Sequence, residues 1–114
     1  MQIKPEISWL DFEKIDMRSG TIVSVSDFPE ARNPSYKVEI DFGDFGIKKS
    51  SAQITDLYTK EELLGKQIVA VINFPKKQIA NFLSECLILG IYGELKEVTL
   101  LTPTNKVKNG FQVG

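Results

Sequence analysis

The chain has 114 residues, 42% of them hydrophobic and 25% charged, with a formal net charge of −1; this is the profile of one ordinary globular domain. No apolar run approaches the roughly 20 residues that cross a bilayer, the start "MQIKPEISWL" lacks the pattern of a signal peptide, and a single cysteine, Cys86, allows no intrachain disulfide; these features point to a cytoplasmic protein with no membrane insertion. Histidine is absent, which removes Ser-His-Asp and Cys-His catalysis and the usual zinc sites, and no GxxxxGK[ST] or GxGxxG loop is present. The carboxylates sit mostly beside lysines or in helical turns, so the expectation is a binding protein, not an enzyme, with no cofactor and no metal.

In chain order, Ser8 to Asp11 spells S-x-x-D ahead of "FEKI", a capping-box start for a short helix. "RSGTIVSVSDF", Arg18–Phe28, reads as a strand with Val23 and Val25 on one face, Ser24 and Ser26 on the other, and a bend or bulge at Gly20. "FPEARNPS" carries two prolines and reads as a loop. "YKVEIDFG" alternates: Tyr36, Val38, Ile40 and Phe42 face inward, while Lys37, Glu39 and Asp41 face out. "GDFG" turns the chain, so "IKKSS" returns antiparallel. Thr59 opens a second capping box, "TKEE", and Gly65 stops that helix. "QIVAVINF" is the fourth strand, "ECLILGIYG" the fifth, and "VTLLTP" a short late strand ended by Pro103. Five strands with a helix after the third is the order of an OB-fold, a Greek-key all-β barrel with short helices. The expected organisation is one such domain over residues 1–114 with a short N-terminal helical extension.

Ile68 to Ile72 and Leu87 to Leu89 are apolar on both faces, as in strands covered from both sides. The barrel core covers one face; the N-terminal segment or a second subunit must cover the other. A homodimer is expected, its interface drawn from Ile7, Trp9, Leu10, Val69, Val71, Leu87 and Leu89.

The polar corner "NFPKKQIANFLSE" separates the last two core strands. Pro75 cannot donate to a ladder and ends the fourth strand. In an OB-fold, the loop between strands four and five borders the ligand face. Candidate RNA-contacting residues are therefore Asn73, Lys76 and Lys77 here, with Lys48, Lys49, Ser51 and Gln53 on and after the third strand. Lys48 and Lys49 are adjacent on a strand and point to opposite sides. Ser51 and Gln53 can instead satisfy backbone at the entry to the helix, and Asn73 can instead cap a turn. Phe82 either stacks on a base or fills an apolar hollow.

The stretches "DFEKIDMRSGTIV", "FPEARNPSYKVEIDFG", "IKKSSAQI", "INFPKKQIANFLSE" and "LLTPTNKVKNG", taken in that order and spacing, resemble the CsaA family, export-related chaperones built on a tRNA-binding-type OB domain. The wider family includes structure-specific tRNA-binding proteins and the appended domain of dimeric methionyl-tRNA synthetases. The resemblance implies a homodimer, and a corner that is a binding surface. It implies an ATP-independent chaperone for unfolded or export-destined, signal-sequence-bearing polypeptides, taken in an apolar cleft rimmed by Phe74, Ile79 and Phe82, with tRNA binding beside it; the alternative is a structure-specific tRNA-binding accessory protein without a chaperone role. Asn73 and Ser84 match positions the wider family uses near RNA, and Lys76 and Lys77 match a basic pair. Cys86 and Leu87 stand where the tRNA-binding branch usually has glycine and methionine, as expected of the CsaA branch.

Overall fold

The computed structural model describes residues 2–114. Helix α1 (Trp9–Glu13) starts at Ser8, whose hydroxyl accepts the Asp11 N–H while the Asp11 carboxylate accepts the Ser8 N–H, both at 3.1 Å. This is the capping box read from the sequence, and it is needed: five residues cannot sustain a helix by propensity alone. None of the helix's residues is buried.

Strand β1 (Met17–Asp27) is long enough to serve two neighbours. Its first part, Met17–Thr21, pairs with β4 (Gln67–Val71), and its second part pairs with β2 (Tyr36–Asp41), all antiparallel. The register slips between Ile22 and Ser24, a bulge centred on Val23. The bend was expected at Gly20, and Val23 was expected to share a face with Val25. The extra residue at Val23 turns that side chain outward while Val25 packs against the core. Gly20 has a different role. A Cβ there would lie 2.6 Å from Ile40 Cγ2 and 2.7 Å from Phe42 Cε1, so glycine is what lets those side chains cross β1.

The alternation in β2 holds: Val38, Ile40 and Phe42 are fully buried. A 3-10 turn (Gly43–Phe45) leads into β3 (Ile47–Ala52), antiparallel to β2. Helix α2 (Lys60–Leu63) lies between β3 and β4, capped by Thr59 and Glu62 and ended at Gly65, which takes φ +86 and donates its N–H to Ile22 O at 2.8 Å.

The fourth strand was expected to reach Phe74 but ends at Val71, because Ile72 N–H turns to Asp16 O at 2.9 Å. The corner, expected as a loop, contains a hairpin: β5 (Lys77–Ile79) pairs with β6 (Phe82–Ser84). Its tight turn puts Ala80 at φ +49, supported by Gln78 Nε2 donating to Ala80 O at 2.9 Å. The expected fifth strand is split at Leu89. Its first part, β7 (Leu87–Ile88), pairs with β4; its second, β8 (Gly90–Tyr92), pairs with β9 (Val98–Leu100), the late strand. Leu89 keeps the join hydrogen-bonded, donating to Val69 O and accepting from Leu101 N.

The main sheet runs β3-β2-β1-β4-β7. Its two edges meet where Glu85 N–H donates to Lys49 O at 2.7 Å, which nearly closes an OB-type barrel. Ile22, Val38, Ile40, Phe42, Ile54, Leu63, Ile68, Ala70, Cys86 and Leu100 fill it. Each large side chain of this set contributes about 1.5–3 kcal/mol by burial.

The C-terminal tail straps the barrel. Ser19 anchors it: its hydroxyl donates to Lys108 O at 2.7 Å and accepts Phe111 N–H, while its backbone pairs with Gly110 N and Phe111 O. Gln67 clamps Val107 through both halves of its amide. Among the described residues no helix is long and apolar enough to cross a membrane.

Candidate nucleic-acid interface

The register of β2 with β3 determines which lysines share a surface. Lys37 lies opposite Ser51, and Glu39 opposite Lys49, on the outer side of the sheet. Lys48 lies opposite Ile40 and Ser50 opposite Val38, on the core side, where Ser50 is buried. The two adjacent lysines therefore point to opposite sides, as alternation requires, and only Lys49 joins the outer face. Lys37 joins it too. It had been read only as an outward residue of an alternating strand, and register adds its neighbours.

The hairpin stands beside this face. Ile79 pairs with Phe82 and Lys77 with Ser84, so these four residues share one side of the ribbon. Phe82 reaches across to Phe28, with ring centroids 5.4 Å apart and a tilt of 58°. That contact ties the hairpin to the loop after β1. Phe28 is buried apart from the main core, and Lys37 Nζ stands 5.3 Å from its ring centre. Lys49 Nζ stands 5.5 Å from the ring centre of Phe82. Glu85 then completes the corner: its carboxylate accepts Lys49 N–H at 3.0 Å and lies 3.6 Å from Lys76 Nζ.

The basic pair of the corner is thereby split. Lys76 is matched by a carboxylate, while Lys77 forms no ion pair among the described residues, and neither do Lys37 and Lys49. The outer face of β2–β3 thus carries Lys37 and Lys49, and the hairpin, packed against β3 through β6, carries Lys77. Ser51 lies half-buried on β3 and Gln53 exposed just beyond it.

Two expected contacts bond within the chain. Asn73 Oδ1 accepts Asp16 N–H at 3.0 Å and its Nδ2 donates to Lys14 O at 2.6 Å, so its amide fastens the α1–β1 connection to the end of β4. This is neither of the two roles read from the sequence, a turn cap or an RNA contact, but a tie to backbone distant in the chain. Ser84 is buried, and its hydroxyl donates to Cys86 O at 3.3 Å. Burial, helped by the Glu85 carboxylate, pushes the Cys86 thiol up to about 12, so it stays protonated. In the expected peptide cleft, Phe74 is exposed, but Ile79 and Phe82 are half-buried, with Phe82 committed to Phe28.

The expected dimer residues divide as well. Ile7, Trp9, Leu10 and Leu87 are exposed, Trp9 at 84%; Val69 and Leu89 are half-buried. Val71 is only 4% exposed within the single chain, so it has almost no surface left to offer. Tyr92 and Leu95, on and beyond β8, are exposed large apolar residues that the two-sided strand pattern did not flag. A separate open groove of about 800 Å³ lies beside the tail, between Thr21, Gln67 and Lys106–Asn109. Among the described residues no cluster of three or more His, Cys, Asp or Glu side chains could hold a metal ion.

Comparison with known proteins agrees with this geometry. Residues 17–112 match the family described as putative tRNA binding domain. The crystal structure of chaperone CsaA from Bacillus anthracis superposes with a TM-score of 0.92 at 46% identity, covering 96% of this chain and 100% of that one. The CsaA chaperone protein of Picrophilus torridus gives 0.90 at 53% identity with the same coverage. The methionine–tRNA ligase of Nanoarchaeum equitans is 36% identical over 107 residues, which is 94% of this chain but 13% of the ligase. The chain thus spans only about a seventh of the curated relatives it matches, from 13% to 16% of the first several. The chain belongs to the tRNA-binding domain family, in its CsaA group.

Proposed function

We propose that this protein is a non-enzymatic, ATP-independent binding protein of the cytoplasm, working as a homodimer, that takes tRNA-class RNA on the outer face of β2–β3. The observation that carries this reading is that Lys37 and Lys49 on the outer face of β2–β3, and Lys77 on the hairpin packed beside it, have no carboxylate partner among the described residues. Ammonium groups without carboxylate partners on a β-surface suit phosphates, which supply position and most of the affinity. The net charge of −1 is no obstacle, because a local field depends on where charges sit. Titration of labelled bulk tRNA at several salt concentrations tests it. Binding that weakens steeply with salt is expected; no binding at low salt refutes it.

A second reading has its own observation. Ile7, Trp9, Leu10, Leu87, Tyr92 and Leu95 are large apolar residues left in water by the single chain. Such surface marks protein interaction sites. A second copy of the chain would cover part of it, and unfolded or export-destined polypeptides would take what remains, as the chaperone relatives suggest. Sedimentation at micromolar concentration should show a dimer. Slowed aggregation of a denatured client, insensitive to salt that abolishes RNA binding, is the expected result for the chaperone activity. A protein that binds tRNA but neither slows aggregation nor binds a signal peptide removes this second reading alone.

A further inference from the structure

We propose that Phe28 and Phe82 are positioning residues that hold the ammonium groups of Lys37 and Lys49 in place as a preset phosphate cradle, and that neither ring stacks on a base. The inference rests on the RNA-binding reading and says which part of the RNA this site reads: the backbone, with base identity unread.

The rings have no face to spare. Phe28 is 3% exposed, so no base can reach it. Phe82 leans on Phe28 in the tilted geometry that aromatic pairs prefer, and Lys49 Nζ stands over its ring at 5.5 Å. Lys37 Nζ stands over Phe28 at 5.3 Å. Both distances are within the roughly 6 Å reach of a cation–π contact. The four side chains form one chain of contacts, lysine–ring–ring–lysine. Lys37 and Lys49 sit on adjacent strands as diagonal neighbours, since Lys37 is opposite Ser51 and Lys49 opposite Glu39.

A ring holds a lysine differently from a carboxylate. Lys76, beside Glu85, has its charge matched and a donor used. An ammonium over a ring keeps its charge and its outward N–H donors, because the ring faces only one side of it. Such a lysine has already given up part of its rotamer freedom, so less is lost when a phosphate arrives. The rings therefore fix two cations without neutralising them.

A double-mutant cycle on the full chain tests this. Phe82→Leu, Lys49→Gln and the pair would be titrated with single-stranded oligo(U) and oligo(A) of equal length. Phe82→Leu should weaken binding about two- to fivefold, and should weaken it no further in the Lys49→Gln background. Oligo(U) and oligo(A) should lose equally. A stacking ring would instead cost roughly five- to more than a hundredfold, the same in both backgrounds, and that result overturns the proposal. A readout without RNA separates the inference from the reading beneath it. In the free wild-type protein the Lys49 ε-methylene protons should show an upfield ring-current shift, unchanged on saturation with oligo(U) and requiring no variant to fold. A shift missing from the free protein, or lost on RNA binding, overturns the positioning role while RNA binding stands. Failure of the wild type to bind either oligonucleotide overturns both.

Discussion

Replacing Asn73 with alanine separates a structural staple from an RNA contact. The Asn73 amide makes two hydrogen bonds to backbone far away in sequence: it accepts from Asp16 N at 3.0 Å and donates to Lys14 O at 2.6 Å. Alanine removes both. A protein hydrogen bond contributes about 0.5–1.5 kcal/mol net, and these two are exposed, so water replaces part of what is lost. The expected loss is about 1–2 kcal/mol. Unfolding entropy near the midpoint is about 2.1 cal/mol/K per residue, or about 0.24 kcal/mol/K for 114 residues, so the melting temperature should fall by roughly 4–8 °C. The assay is a thermal melt followed by circular dichroism, beside a tRNA titration at a temperature where both proteins are folded. The affinity of Asn73→Ala should stay within about twofold of wild type, since the amide already faces protein. A tenfold loss of affinity with an unchanged melt would refute the reasoning, because it would mean the amide leaves its backbone partners to meet RNA.

Gly20→Ala should be destabilising by about 1–3 kcal/mol, because the new Cβ meets Ile40 Cγ2 at 2.6 Å inside a filled core; a melt within a degree of wild type would refute the close-approach role. Exchanging Lys37, Lys49 and Lys77 together for glutamine should flatten the log–log salt dependence of single-stranded RNA binding by about two, at about 0.7 per phosphate contact. Lys76→Gln should flatten it less than Lys77→Gln, since Glu85 already matches Lys76; equal slopes for the two would show that this ion pair does not matter. Cys86 should resist alkylation at pH 8 in the folded protein, because the thiolate is the reactive form and burial pushes its thiol up to about 12. The folded state holds that proton more tightly than the unfolded chain, so stability is unaffected below an unfolded thiol's value near 8.5 and falls as pH rises toward 12. Chemical denaturation between pH 8 and pH 10.5 should show that alkaline loss in the wild type and a smaller one in Cys86→Ala.

What could be read from the residues was what depends on neighbours in sequence. Both capping boxes, at Ser8 and Thr59, are local hydrogen-bond patterns, and both are present. The alternation of Tyr36–Phe42 reports burial on one side of a strand, and it placed Val38, Ile40 and Phe42 correctly. The chain order of three strands, a helix and a fourth strand, on which the OB-fold expectation rested, is the one observed. What failed depends on partners distant in sequence. Gly20 looks like a bend until Ile40 and Phe42 are seen packed across it, and the bulge at Val23 has no glycine or proline to announce it. "ECLILGIYG" reads as one strand because all of it is extended; only pairing shows that it serves β4 first and β9 second. The tail "KVKNG" carried part of the family resemblance, but its role as a strap rests on Ser19 and Gln67, dozens of residues earlier.

The same distinction explains the candidate site. Residue type and place in the corner nominated Asn73 and the pair Lys76–Lys77, since amides and cations are groups that meet RNA, and the family resemblance added Ser84. In the folded chain Asn73, Ser84 and Lys76 each have a partner, namely Lys14 and Asp16, Cys86, and Glu85. These interactions share a consequence. Asn73 fastens the end of β4, Ser84 the base of the hairpin, and Glu85 the seam with β3 through Lys49 N and Lys49 O. The polar corner thus closes the barrel, which explains why apolar strands are interrupted by groups that would otherwise favour water. Closure in turn brings β6 against β3, sets Phe82 on Phe28 and leaves Lys49 standing over a ring. On the RNA-binding reading, the residues that look most like ligand contacts build the corner, and the lysines left without a carboxylate partner, Lys37, Lys49 and Lys77, are the ones that meet phosphate.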